Sequence, residues 1–300
     1  MRRKFYWYSF IYCLFIFIIP SLSAQNKLPK KIKLPDILRE VSGLYYITPD
    51  SLWWHNDSGD QPRLLLTDVK GNMKKEVLLA VQSKDWEDIT FDNQGNIYIG
   101  DFGNNLNQRK DLKIYIYNVN DGILDSIQFA YPDQQAFPPP PKQANYDMEG
   151  FFWYNDSLHL FSKNRLLKGN YYTKHYILPA RAGISTAILQ DSILLKKRVV
   201  TAAAISPDNQ RISLLTYYFR TIFGIIPISR ATIYTFSEFT GHHFFKGKKQ
   251  QKRVGKFIIP TQYESLDFVD PQIVYIASER TPLFRQQAKR VRLKLPKVRP

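Results

Sequence analysis

The stretch Glu149-Gly-Phe-Phe-Trp-Tyr-Asn-Asp-Ser-Leu-His-Leu-Phe-Ser-Lys163 reads as strand, turn and strand. Phe151 to Tyr154 and Leu158 to Phe161 are mostly aromatic and apolar, which suits a pleated, packed surface. Asn155, Asp156 and Ser157 between them bond their own backbone and so favour a turn. The same order recurs four more times. Glu40-Val-Ser-Gly-Leu, Glu87-Asp-Ile-Thr-Phe, Ala202-Ala-Ala-Ile-Ser and Glu264-Ser-Leu-Asp-Phe each lead into a turn rich in Pro, Asp, Asn or Gly. Second apolar runs follow at Leu52-Trp-Trp54, Ile97-Tyr-Ile99, Ile212-Ser-Leu-Leu215 and Ile273-Val-Tyr-Ile276. The five starts lie 47, 62, 53 and 62 residues apart. Hairpins repeating at such a period mark a repeat architecture.

Working outward, each hairpin is followed by a third strand: Arg63–Asp68, Lys113–Tyr117, Lys174–Leu178, Ala231–Phe236 and Val291–Leu295. Four units carry a fourth, at Glu76–Leu79, Ile123–Ile127, Ile193–Leu195 and Lys256–Ile259. The fifth runs out of chain, while Lys31-Ile-Lys-Leu34 is a strand to spare before the first. An all-β propeller is therefore expected, with five four-stranded blades closed by the N-terminal strand. A sixth blade within the 62-residue intervals is the alternative. The proline run Pro138–Pro141 falls in an extended loop between blades.

The chain has 300 residues, 44% apolar and 15% aromatic, which excludes a disordered polymer. A single Cys excludes a disulfide framework and a thiolate metal cluster. Arg2, Arg3 and Lys4 precede the apolar run Phe5–Ile19, then Pro20 and the small residues Ser21 to Ala24. That order is a secretory signal peptide. Residues 1–24 are read as the signal and 25–300 as one propeller domain with a basic C-terminal end. Export to the periplasm, cell envelope or medium is expected. The net charge is +16, and +13 without the three N-terminal cations. Residues 241–300 hold 14 Lys and Arg against 4 Asp and Glu. Residues 285–300 would face an anionic envelope surface rather than nucleic acid, which an exported protein seldom meets. A monomer is expected.

In a hairpin, the start of one strand and the end of the next share an edge. Glu40, Glu87, Glu149 and Glu264 begin inner strands; Asp57, Asp101, Lys163, Arg165, Glu279 and Arg280 follow second strands. Asp85 and Asn104 stand beside them. All twelve should therefore meet at one mouth of the central channel, as a site for a small polar or ionic ligand. Three chemistries fit: an ion-pair network, a hard cation such as Ca²⁺ held by Glu87, Asp101, Glu149 and Glu264, or paired carboxylates activating water for hydrolysis. In the last case Ca²⁺ would act as Lewis acid in a phosphoesterase. No Gly-x-Ser-x-Gly elbow is present. A scaffold that only binds partners at the envelope is a further alternative. His242-His243 reads as solvent-exposed, and Trp53, Trp54, Trp86 and Trp153 as inter-blade core.

The phrases Val41-Ser-Gly-Leu44, His55-Asn-Asp-Ser-Gly59, Asp85-Trp-Glu-Asp-Ile89, Gly100-Asp-Phe-Gly-Asn-Asn105, Glu149-Gly-Phe151, Phe161-Ser-Lys163 and Ser278-Glu-Arg280 form an ordered set. The set resembles exported bacterial propellers of the SdiA-regulated and esterase-like-activity-of-phytase type, over about residues 39 to 285. The resemblance implies an envelope propeller with Ca²⁺ at the acidic channel. Ala202, where the other units have Glu, departs from a full ring of carboxylates.

Overall fold

The computed structural model describes residues 28–164, 172–195, 197–222, 226–254, 262–282 and 284–294. Residues 1–24, expected to be a signal peptide, and Arg165 lie outside them. Five antiparallel sheets surround one axis. Blade one is β2 (Val41–Thr48), β3 (Ser51–Asn56), β4 (Arg63–Thr67) and β5 (Met73–Leu78), in that order from the axis outward. Blade two is β6 (Trp86–Phe91), β7 (Asn96–Asp101), β8 (Lys113–Asn118) and β9 (Leu124–Ala130), and blade three β10 (Asp147–Tyr154), β11 (Ser157–Lys163), β12 (Tyr172–Pro179) and β14 (Ile188–Leu194). Blade four is β15 (Val199–Ile205), β16 (Arg211–Ile222), β17 (Ile226–Ser237) and β18 (Lys248–Val254). Blade five is β19 (Tyr263–Asp270), β20 (Ile273–Ser278), β21 (Gln287–Arg292) and, from the other end of the chain, β1 (Lys31–Lys33). Lys31 pairs with Lys289 and Lys33 with Gln287, so the N-terminal strand closes the ring. No sixth blade exists among the described residues.

Five apolar clusters fill the five gaps between blades. Trp54, Leu44 and Leu65 pack on Tyr275, Ala277 and Ile32 between blades one and five. Trp53 and Leu64 pack on Trp86, Ile97 and Ile99 between one and two. Phe102 and Ile114 meet Phe151, Leu158 and Tyr176; Phe152 and Phe161 meet Leu214, Phe236 and Phe244; Leu215 and Ile233 meet Leu266, Val274 and Ile276. Trp53 and Trp54 are neighbours on β3, so they enter opposite gaps. Both faces of each blade are buried, which is why inner and middle strands read as unbroken apolar runs.

The outer strands differ from expectation. The fourth strand of blade four is Lys248–Val254; the expected run Lys256–Ile259 lies wholly in 255–261, outside the described residues. The third strand of blade five begins four residues earlier than Val291. An outer strand needs only backbone hydrogen bonds, so a run such as Lys-Lys-Gln-Gln-Lys-Arg-Val serves without an apolar signature. One strand was not expected at all: β13 (Gly183–Thr186) adds to the edge of β9 in parallel, with Gly183 opposite Ile127.

The gap between blades three and four holds a chain of imidazoles. His175 Nδ1 is 3.1 Å from Asp191 Oδ1 and His159 Nδ1 is 2.9 Å from His175 Nε2. His242 Nδ1 reaches His159 Nε2 at 3.2 Å. His242 is thus half-buried and engaged, against the exposed reading. Burial, with the neighbouring rings, lowers His159 to about 2. A His held neutral in the fold and charged when unfolded contributes stability above its ordinary pKa of 6.5, lost as pH falls. His159→Phe should therefore gain about 2 kcal/mol relative to the unsubstituted protein between pH 7.5 and pH 5. Denaturant unfolding of both at the two pH values checks it; an unchanged difference would refute it.

Candidate functional site

All five inner strands carry a register shift at the same depth. It falls between Val41 and Gly43, Trp86 and Ile89, Met148 and Gly150, Val200 and Ala202, and Tyr263 and Ser265. An extra residue in one strand bends it and re-aims a side chain. The residues at the shift are Ser42, Glu87 with Asp88, Glu149, Thr201 and Glu264. The register equivalents of the three Glu are therefore Ser42 and Thr201, two and one positions away from the expected Glu40 and Ala202. The hydroxyls bind neighbouring blades: Ser42 Oγ donates to Glu87 O, Ser265 Oγ to Ser42 O, and Thr201 Oγ1 to Tyr263 O at 2.9 Å. In four of the five, all but blade two with Ile89, a small residue after the shift lets the strands approach. At Gly150 a Cβ would lie 2.6 Å from the Ala202 carbonyl carbon of the next blade.

Glu87, Glu149 and Glu264 are each at least nine-tenths buried. Lys163 Nζ pairs with Glu149 Oε1. Burial by itself would lower the Lys163 ammonium, but Glu149, Asp147, Tyr217 and Glu264 hold it well above the usual range. One ammonium therefore faces several carboxylates. Burial, then Glu149 and Asp57, pushes Glu87 well above its ordinary range; burial pushes Glu264 the same way, with Glu149 and Glu279 adding to it against Lys163. Burial and the nearby Asp57 and Glu40 raise Glu279 to about 7. Among the described residues the mouth carries more carboxylates than Lys163 balances, an excess that protons or an added positive ion would offset.

The surplus is concentrated at one flank. One carboxylate oxygen from each of Asp57, Asp85 and Glu87 lies within 4.8 Å of the others. Burial and the nearby Asp57 and Asp147 raise Asp85 to about 6. Burial raises Asp57 as well. The backbone is moulded to these groups: at Gly103 a Cβ would lie 2.0 Å from Glu87 Oε1 and 2.5 Å from Asp85 Oδ2. Oxygens bound to one Ca²⁺ stand at most about 4.6–5.2 Å apart, so three that lie this close together are near enough to share one ion. The Glu87 carboxylate has no hydrogen bond among the described residues.

Other expected residues build the mouth without lining it. Asp101 accepts the backbone N–H of Lys84 (3.2 Å) and Asp85 (3.1 Å) and pairs with Arg109 at 2.9 Å. With its oxygens so engaged it holds Asp85 in place. Asn104 donates its backbone N–H to Asp147 Oδ1 at 2.7 Å and accepts those of Gln108 and Arg109. Glu40 is exposed at the rim, its carbonyl accepting the Asp57 N–H at 2.8 Å. Arg280 is exposed and donates its backbone N–H to Arg39 O at 2.8 Å. Asp147 and Tyr217 also act on Lys163.

Deeper in, Asp88 stoppers the channel. Its carboxylate accepts the N–H of Ile89 (2.9 Å), Phe151 (3.2 Å) and Ala203 (3.4 Å), tying blades two, three and four. Beyond it the far ends of the inner strands line an open cavity of about 460 Å³ that includes Tyr45, Phe91, Trp153, Phe268 and Asp267.

The fold and the acidic axial mouth define a five-bladed β-propeller. No family model matches the chain, and no curated protein matches it. Solved structures do. An endo-arabinase from Bacteroides thetaiotaomicron VPI-5482 is 12% identical with a TM-score of 0.51, covering 89% of this chain and 96% of that one. MPT-4, a mannose phosphorylase from Leishmania mexicana, is 12% identical at TM-score 0.48 over 90% of each chain. Virginiamycin B lyase from Staphylococcus aureus is 8% identical at 0.45 over 88% of each. Likeness at these identities speaks for the propeller fold alone.

Proposed function

We propose that this is an exported β-propeller of the SdiA-regulated, phytase-like type whose acidic channel mouth binds Ca²⁺ and, through it, a small polar ligand. The observation that carries the reading is Glu87: 5% exposed, without a hydrogen-bond partner among the described residues, and pointed at Asp57 and Asp85. A buried carboxylate without a partner is costly unless protonated or bound to a cation. Of the four expected metal ligands, Glu87 stays. Asp101 is engaged by Arg109, Glu149 by Lys163, and Glu264 feels Lys163, Glu149 and Glu279 most strongly among the neighbouring charges. Asp57, Asp85 and Glu87 are the proposed ligand set, with Lys163 available to an anionic group on the ligand. The signal-like N-terminus and the ordered motifs support export.

A thermal melt tests the reading. Ca²⁺ at a hundredfold excess over its dissociation constant should add about 2.7 kcal/mol of stability. Glu87→Gln should abolish the shift while folding normally. Because the ion displaces protons, the shift should grow as pH rises through about 6, where Asp85 ionises. No shift in the unsubstituted protein at pH 8 would refute calcium binding. Hydrolysis of a phosphomonoester panel that appears only with Ca²⁺ would convert binding into catalysis.

A further inference from the structure

The sequence places the positive charge toward the C-terminus; the fold gives it a shape. β18 carries Lys248, Lys249, Lys252 and Arg253, β21 adds three cations and β1 two, with no acidic residue in any of the three strands. The outer strands of the other blades are near neutral: β5 has two Lys and one Glu, β9 and β14 one Asp each, β13 no charge. Among these strands the unbalanced positive charge is thus concentrated on two adjacent blades.

Register shows where it points. Residues directly opposite in an antiparallel pair share a face. Lys252 lies opposite Ile233, and Ile233 packs toward blade five. Lys31 lies opposite Lys289, and Lys289 opposite Ile276, which packs toward blade four. The two blades therefore turn lysines toward each other where they part beyond their shared core. Lys248 pairs with Glu238 at 2.6 Å. Among the described residues no other cation of the three strands has a carboxylate partner. Like charges directly opposite, as at Lys31 and Lys289, destabilise a sheet. Lysines commonly guard exposed strand edges, yet β5 and β14 are uncovered edges in this same fold and do without such a concentration.

We propose that the outer rim of blades four and five is a docking surface for an acidic polysaccharide. Charge complementarity names a polyanion. A bilayer would also want apolar groups to insert, but β1, β18 and β21 expose none; the most exposed large ones, such as Ile184 and Ile188, lie on other blades, and blade five offers only Phe284, in the loop before β21, among the described residues. A single-stranded nucleic acid would want aromatic platforms, and the three strands contain no aromatic residue. Carboxylate or sulfate groups along a glycan need only the point charges that lysines supply.

The full chain is titrated with heparin as a sulfated-polysaccharide probe, with phosphatidylserine vesicles and duplex DNA in parallel. Heparin binding should weaken steeply with salt, as counterion release requires. Lys31→Gln, Lys252→Gln and Lys289→Gln together should weaken it by about tenfold or more. Lys74→Gln with Lys75→Gln, on blade one, should leave it unchanged. If the triple variant misfolds by circular dichroism, Lys248→Gln with Lys249→Gln takes its place. No heparin binding at about 50 mM salt, an equal loss in the blade-one variant, or tighter binding to vesicles or DNA would overturn the proposal.

Discussion

Lys163→Met is expected to destabilise the folded protein by about 3–5 kcal/mol at pH 8, the scale of removing one partner from a buried ion pair. Lys163 is the ammonium set among Glu149, Asp147 and Glu264, and its side chain is 18% exposed. Methionine fills a similar volume, so packing loss is small and the effect is electrostatic. The sign with pH follows from the carboxyls. Their folded pKa values are raised, to about 8 for Glu149, where burial outweighs Lys163. A carboxyl raised in the fold contributes stability at low pH, which is lost as pH climbs from about 4.5 through the folded value. The defect should therefore be large at pH 8 and mostly recovered at pH 5. Urea unfolding at both values measures it. An equal loss at both would mean that Lys163 acts through packing and that the carboxylates do not form one charged set.

Gly150→Ala is expected to be about as damaging, by 3 kcal/mol or more, for a different reason. The added methyl would meet the Ala202 carbonyl carbon and the Ala203 nitrogen at 2.6 Å. These are backbone atoms of the next inner strand, so no rotamer change relieves the overlap. Blades three and four would have to separate, with Phe152, Phe161, Leu214 and Phe236 losing contact across the gap. The pH dependence separates the two variants: this defect should persist at pH 5. A Gly150→Ala protein melting within a degree of the unsubstituted one would show that the inner strands are not held as closely as the ring requires.

The blade count was legible because turns and paired strands are written locally. Asn155-Asp-Ser157 and Asp92-Asn-Gln-Gly-Asn96 announce hairpins, and burial of both blade faces makes the inner strands conspicuous. Charge and edge position hid the rest. β18 is polar because only its backbone is engaged, and β13 is a four-residue addition with Ile184 almost wholly exposed. At the mouth, the acidic residues were visible but their division of labour was not. Asp101 and Asn104 look like ligands in the sequence, yet their oxygens are taken up by backbone N–H groups and, for Asp101, by Arg109. Glu40 looked equivalent to Glu87 because a register shift leaves no mark on composition. The signal that could have corrected it is the small residue after the shifted position: Gly43, Gly150, Ala202 and Ser265 align Ser42 and Thr201 with Glu149 and Glu264.

The most direct test of the acidic mouth is a crystal of residues 25–300 grown at pH 8 with Mn²⁺ or Tb³⁺ in place of Ca²⁺ and measured at the metal's absorption edge. The reading advanced above predicts one strong anomalous peak within coordination distance of Asp57, Asp85 and Glu87, weakened or lost in Glu87→Gln. A well-ordered channel with no peak there, or a peak seated only on residues elsewhere on the propeller, would contradict it.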